Sequence, residues 1–394
     1  MPFSQEERET TETIPLKPCL TSKVTANTLF MPMPISSPPP TRHSVGFWKE
    51  TWQRFLRRKE AVAALGFVLL LALIALLSPA IAGTKPIVCK YKGKLYFPAL
   101  SYFNESWENP IFQKDKFRKR YPLNLPKKDP ESWAIWPLSF NDPYRRVEDK
   151  EWPDRPGNPR GDQSGPSKMN WFGTDEVGVD VFAKMVHGTR IALLVGFVSM
   201  GIAASIGMVI GAMGGYFGGW IDTLLSRLTE VVMCVPTLVL ILALWSLIQK
   251  PTIWHTMAII GATSWTGIAR LMRAEFLKIK HADYVAAAHV SGISTIKIIS
   301  RYILPNALAP VLVPITFGIA SAILMENSLS FLGFGAPPPN PSWGSVLSSA
   351  SGNYQLWWLT VYPGVAVFLT VLAYNVIGEA LQEATDPRLR EGGR

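Results

Sequence analysis

The chain has 394 residues, of which 48% are hydrophobic and only 17% charged, with 39 Lys+Arg against 29 Asp+Glu for a net charge of +10. Apolar residues gathered into long uncharged stretches exclude both an ordinary soluble globule and a chain disordered throughout. The basic excess suits the short inner loops of a membrane protein, and its pattern does not point to nucleic acid.

Residues 1–43 are rich in Ser, Thr and Pro and poor in groups that bury a core, which predicts a disordered tail on the cytoplasmic side. Over 44–60 the pattern changes: Phe47, Trp48, Trp52, Phe55 and Leu56 alternate with Lys49, Arg54, Arg57 and Arg58, as in an amphipathic helix lying at the interface. The first apolar stretch, 61–83, is Leu/Ala-rich and long enough to cross roughly 30 Å of hydrocarbon at about 1.5 Å per residue. Roughly sixty residues precede it, so it reads as a retained span and not as a cleaved signal peptide.

Five more spans are predicted near 190–214, 224–248, 252–272, 307–332 and 357–379. The expected fold is therefore all-α and polytopic, with about six transmembrane helices and both termini cytoplasmic. Orientation follows from short basic segments: Arg54, Arg57, Arg58 and Lys59 share a side with Lys278, Lys280, Lys297 and Arg301, and with Arg388 and Arg390. The segment 84–188 then forms an irregular, partly packed extracytoplasmic insertion, 189–380 a transmembrane core with a cytoplasmic loop at 277–306, and 381–394 a second cytoplasmic tail.

Cys19, Cys89 and Cys234 lie in three unlike settings, so no disulfide framework can be built. The histidines lack ligand spacing, and neither a metal nor another cofactor is expected. Ser264 and His255 are nine residues apart with no activating carboxylate, His281 and His289 eight apart without a Cys or carboxylate ligand, so no catalytic constellation is assigned. A phosphate-binding loop is also missing, because Gly93-Lys94 is followed by Leu95.

The loop between the fourth and fifth spans is the most informative segment. Asp283 to Gly292 is a run of small residues ending in a glycine that permits a sharp turn, and a second amphipathic run from Thr295 to Ile303 stops at Leu304-Pro305. Two short helices joined at a glycine would suit insertion into a groove of another protein, with Lys297 and Arg301 at the rim; a solvated loop fits the spacing equally well.

Tyr284-Val285-Ala286-Ala287-Ala288, Gly292 and Ile303-Leu304-Pro305-Asn306-Ala307 resemble the EAA loop of permease subunits in ATP-binding-cassette (ABC) importers, most of all the dipeptide/oligopeptide type (OppC/DppC-like). Ala286 stands where that family usually carries Glu. The segments 170–175, 214–222, 236–237, 269–275 and 330–335 are similar to the family in order, and the resemblance covers about 168–390, with Val179 where a basic residue is common.

The resemblance implies a type I importer bundle in a bacterial inner membrane, with a second homologous permease, two ABC ATPase subunits and an extracytoplasmic solute-binding protein as partners. It implies ATPase coupling through Tyr284, Ala286, Ala287, Ala288, Gly292, Lys297, Arg301, Leu304 and Pro305. ATP would then be hydrolysed by the partners, and this chain would be a non-catalytic transport subunit. The stiff segment around Gly335, Pro337, Pro338, Pro339 and Trp343 becomes a candidate ledge for the binding protein, against the plainer reading of a rigid connector.

Glu326, inside the fifth span, is a translocation-pathway candidate, with a hydrogen-bond-neutralised carboxyl as the alternative. Arg227 and Glu230, three residues apart, are expected to form a structural ion pair. The rival function is an ion-coupled carrier or channel using Glu326, Glu275 or Glu230; an ABC permease for nickel or another small solute is a further alternative.

Overall fold

The computed structural model describes residues 47–103, 129–147, 165–337, 340–353 and 355–385. The tail expected at 1–43 and most of that at 381–394 lie outside these residues. Helix α1 (Phe47–Arg57) leads into α2 (Lys59–Leu76) and a short turn α3 (Ser78–Ile81). The Pro79 ring at the start of α3 fits a first helical turn, where its missing N–H costs nothing.

Beyond α3 the described part of the insertion carries a small sheet that the sequence reading did not include. Strands β1 (Val88–Tyr91), β2 (Lys94–Tyr96) and β3 (Trp133–Ile135) make an antiparallel sheet in the order β2-β1-β3. Lys92 and Gly93 both have positive φ, 48° and 73°, which is the two-residue hairpin turn whose twist matches its strands. Cys89 faces the small core of this sheet with Tyr91, Tyr96, Ala134 and Trp136 and is fully buried.

The core is built on α4 (Val181–Phe217), a 37-residue helix. It is followed by α5 (Gly219–Cys234), α6 (Thr237–Ser246), α7 (Ile253–Thr263), α8 (Thr266–Lys280), α9 (Asp283–Val290), α10 (Thr295–Ile298), α11 (Leu304–Phe331), α12 (Trp343–Ser349) and α13 (Trp358–Thr385). Helix α4 packs most extensively on α8, then on α7 and α11, while α13 lies against α11 and α2.

Small residues set the α4–α8 distance. A Cβ at Gly207 would sit 2.8 Å from the Ile268 Cβ, and one at Gly215 would sit 2.6 Å from the Phe276 Cβ; Gly211 abuts the Ala269 carbonyl. Spacing by four puts these three glycines on one face, so the two backbones meet in near contact without a water-driven force.

Four helical stretches among the described residues are long and apolar enough to cross a membrane: 59–76, 181–217, 295–331 and 358–385. The pair α5 and α6 counts as a fifth if its arms, bent by 86°, form one broken span. Two of the six expected spans therefore differ from straight rods. Pro236 forces Val235 out of helix (φ −93°, ψ 129°) and breaks 224–248, and 252–272 divides at Ser264-Trp265 into α7 and the charged helix α8.

The two ends of the bundle are distinct. At one, the "loop end", Arg58 pairs with Glu383 and Phe55 packs with Ala61, Ala380 and Ala384. The α4 C-terminus meets α9 there through Tyr216 and His289. At the other, the "sheet end", the His187 ring nitrogen lies 2.8 Å from the Ala82 carbonyl, and Arg190 donates to the carbonyls of Tyr102 and Phe103.

Candidate functional site

At the loop end, α9 closes in a glycine-terminated turn. The Gly292 N–H donates to the His289 carbonyl at 3.0 Å, and the Ile293 N–H reaches back to the Ala288 carbonyl at 3.2 Å. With Gly292 at φ +72° this is a Schellman motif, which satisfies carbonyls that α9 would leave open and turns the chain sharply. Nothing lies within 4 Å of a Cβ built on Gly292, so backbone conformation alone requires glycine there.

The loop has an anchored face and a free face. Val285, Ala288, Ile298 and Ile303 are buried against the bundle. Outward stand Tyr284, Ala286, Ala287, Gly292, Lys297, Arg301 and Pro305, together with two apolar side chains, Val290 at 90% and Ile296 at 80% exposure. Sequence reasoning missed Val290 and Ile296, although both flank Gly292. Conversely, Ala288 points into the chain's own core and Leu304 is half-buried.

The second run does not stop at Leu304-Pro305. A π-turn over Ile299–Ile303 carries α10 into α11, so 295–331 is continuous. The wider turn accommodates a proline at the second position of α11, whose ring would otherwise press on the preceding turn. Polar ties hold this end to neighbouring helices: Lys280 donates to the Tyr216 carbonyl at 2.6 Å, and Arg273 grips Asp222 with two donors, Nη2 reaching Oδ2 at 2.6 Å.

At the sheet end, α11 ends in a cluster around Glu326, which is 1% exposed. The Ser330 hydroxyl donates to Glu326 Oε1 at 2.5 Å, and Ser330 Oγ in turn accepts from the Ala336 N–H at 3.1 Å and the Ser342 hydroxyl at 3.0 Å. Glu326 Oε2 has no partner among the described residues. Ser342 also caps α12, exchanging hydrogen bonds with Ser345.

This cluster holds part of the candidate ledge inward. Trp343 is 1% exposed, donates from its indole N–H to the Met185 carbonyl at 3.0 Å, and lies against Gly188. Gly335 is buried against Ser330 and Pro337 is half-buried. Pro338 and Pro339 lie outside the described residues. The side chains that do stand out are Phe331, Leu332 and Phe334.

Two buried acids brace the start of α4. Asp180 caps the helix, accepting from the Ala183 N–H at 2.7 Å, and burial pushes its carboxyl up to about 7. Asp175 pairs with Lys184 and accepts from the Val177 and Val179 N–H groups. In the insertion, Thr84 and Tyr102 both donate to Asp142 Oδ2, at 2.8 and 3.1 Å, and burial raises the Tyr102 phenol.

Arg227 and Glu230 form the expected ion pair at 2.7 Å, and both are well exposed. His255 closes a capping box with Thr252 at the start of α7, and His289 faces Tyr216, which gives both rings helix-bracing partners.

Comparison with known proteins agrees with this architecture. Residues 207–391 match the binding-protein-dependent transport system inner membrane component, and 46–93 match the N-terminal TM domain of oligopeptide transport permease C. The inner membrane ABC transporter permease protein YejE of Escherichia coli is 35% identical over 341 residues, covering 85% of this chain and 96% of that protein. The peptidoglycan transport system permease protein YejE of Agrobacterium fabrum is 31% identical over 86% of this chain and 93% of its own. The dipeptide transport system permease protein DppC of Alkalihalophilus pseudofirmus is 36% identical over 59% of this chain and 77% of its own. An inward-facing MetNI methionine ABC transporter chain aligns over 51% of this chain and 97% of that one, at TM-score 0.41 and 18% identity. The membrane-length helices, the glycine-turned loop and a match along nearly the whole of a related permease identify the chain as a member of the binding-protein-dependent inner membrane transport components, an ABC importer permease of the dipeptide/oligopeptide type.

Proposed function

We propose that this permease imports short peptides, working with a second permease subunit, two ABC ATPases and an extracytoplasmic binding protein. The loop end faces the cytoplasm, with both termini on that side, in keeping with its Lys and Arg residues. The observation that carries the reading is the α9–α10 loop: its inner face is packed into the bundle, while Val290, Ile296, Tyr284, Ala286 and Ala287 stand exposed around a rigid glycine turn. Such a knob is a docking surface for an ATPase groove, with Lys297 and Arg301 at its rim.

ATP-driven closure of the ATPases shifts the docked loop, and the bundle rocks between outward- and inward-open arrangements. Ala286 removes the acidic contact usual in this loop, so apolar burial carries the docking here. Glu326 serves to tie the α11–α12 connection to the bundle, in accord with its burial and its bond to Ser330. Cargo recognition then falls mainly to the binding protein. Because one relative is named for peptidoglycan transport, peptide-bearing pieces of that polymer belong in the panel of test cargoes.

The test is reconstitution of all subunits in vesicles and uptake of a labelled tripeptide. Uptake is expected only with ATP on the loop side and with binding protein outside. Gradient-driven uptake by this chain alone would replace the importer reading with the ion-coupled one.

A further inference from the structure

Helix α5 carries two exposed rows of opposite character. Trp220, Leu224, Leu228 and Val231 form one, at 75, 58, 46 and 66% exposure. Thr223, Arg227, Glu230 and Cys234 form the other, all exposed. At about 100° per residue the rows lie side by side, roughly a quarter-turn apart. The face opposite both, centred on buried Thr229, is the one that packs on the bundle.

An apolar row that wide belongs out of water. Yet an ion pair turned towards hydrocarbon is costly, and among the described residues nothing else covers Arg227 or Glu230, whose side chains are 74% and 58% exposed. The 86° break at Val235-Pro236 means that α5 and α6 cannot both run along the bilayer normal. A broken helix is tolerated at membrane depth where it borders water or protein.

We propose that the row Thr223, Arg227, Glu230 and Cys234 lines the aqueous translocation pathway, and that the Arg227–Glu230 pair is a charge site for a zwitterionic solute, the guanidinium for a carboxylate and the carboxylate for an ammonium group. This rests on the importer reading above. The pair is preorganised at 2.7 Å and opens to exchange partners as solute passes, which suits weak, transient binding.

The experiment uses the reconstituted complex with Cys19 and Cys89 replaced by Ser. Native Cys234 is one reporter, and single cysteines at Thr223, Leu228 and Val231, each with Cys234→Ser, are the others. The probe is a trimethylammonium-bearing methanethiosulfonate added from the loop side, without nucleotide and with ATP plus vanadate. The polar row is expected to react on the order of 100-fold faster than the apolar row. Nucleotide trapping should change the polar-row rate by about tenfold or more, as alternating access demands. The charge swap Arg227→Glu with Glu230→Arg is expected to lower tripeptide uptake while ATPase association is kept.

Equal rates in both nucleotide states would mean the row simply faces bulk water, and an unreactive polar row would mean the second subunit covers it; either overturns the proposal. Tripeptide uptake is measured in parallel vesicles holding the complex with Thr223, Arg227, Leu228, Glu230, Val231 and Cys234 all unchanged. ATP-dependent uptake with state-independent labelling therefore refutes this inference alone, whereas absence of such uptake refutes the importer reading on which it rests.

Discussion

Replacing Gly292 isolates backbone conformation from packing, because a Cβ there meets open space while φ sits at +72°. Ala at that angle costs about 1–2 kcal/mol and Asn less, and the β-branched Val costs more than Ala. A penalty of that size lowers the population of the closed turn by about 5- to 30-fold. The rest of the bundle should be indifferent, since Val285, Ala288 and Ile298 still anchor the loop. The assay is ATPase-subunit binding to this chain in nanodiscs, alongside its thermal midpoint. Affinity should fall in the order Gly, Asn, Ala, Val, with the midpoint nearly constant. Val binding as tightly as Gly, or Asn no better than Val, would refute the argument that the turn geometry presents the docking face.

Three further outcomes follow from the sheet end. Trp343→Ala should destabilise the folded chain by about 3–5 kcal/mol, seen as a large drop in thermal midpoint in detergent, because it empties a buried site and removes the indole bond to the Met185 carbonyl. Ser330→Ala should cost about 1–3 kcal/mol and speed proteolysis between α11 and α12, by stranding Glu326 Oε1 and the Ala336 N–H, whereas Glu326→Gln keeps an acceptor for Ser330 and should cost less. Asp180 has a folded pKa near 7 against an ordinary value of 3.8, so its stabilising contribution is complete below about pH 4 and is lost as pH rises towards 7. Asp180→Asn, an equally good cap, should flatten that slope in thermal midpoints taken from pH 5 to 8; an unchanged slope would assign it to other groups.

Much of the architecture is visible in the residues because hydrocarbon demands long uncharged helices, and 59–76, 181–217 and 358–385 announce themselves by length alone. The loop was also legible: Ala-rich helix, then Gly292, is a stop signal with a mechanism. The bend at Pro236 was written in the sequence, since a residue preceding proline is pushed to extended backbone, but the apolar run on either side masked it. The sheet had its own mark in Val88-Cys-Lys-Tyr, Lys92-Gly93 and Lys94-Leu-Tyr, a hairpin pattern overlooked among prolines and mixed charges. Nothing local foretold that Trp343 is buried or that Ala288 turns inward. Those facts depend on Met185, more than 150 residues away, and on the helix phase set by the bundle. The break at Ser264-Trp265 has no proline; Gly261, whose carbonyl accepts from the Ser264 N–H, and Gly267 flank it, a weak signal inside an otherwise apolar run.

The π-turn joining α10 to α11 has a mechanical corollary. Thr295 and Phe331 are ends of a single continuous rod of 37 residues, roughly 55 Å long at helical rise. A lever of that reach converts a tilt of about 5° at the Val290–Ile296 knob into roughly 5 Å of travel at the far membrane face. Pro310 and Pro314, each lacking a backbone donor, give the shaft a built-in place to flex along the way.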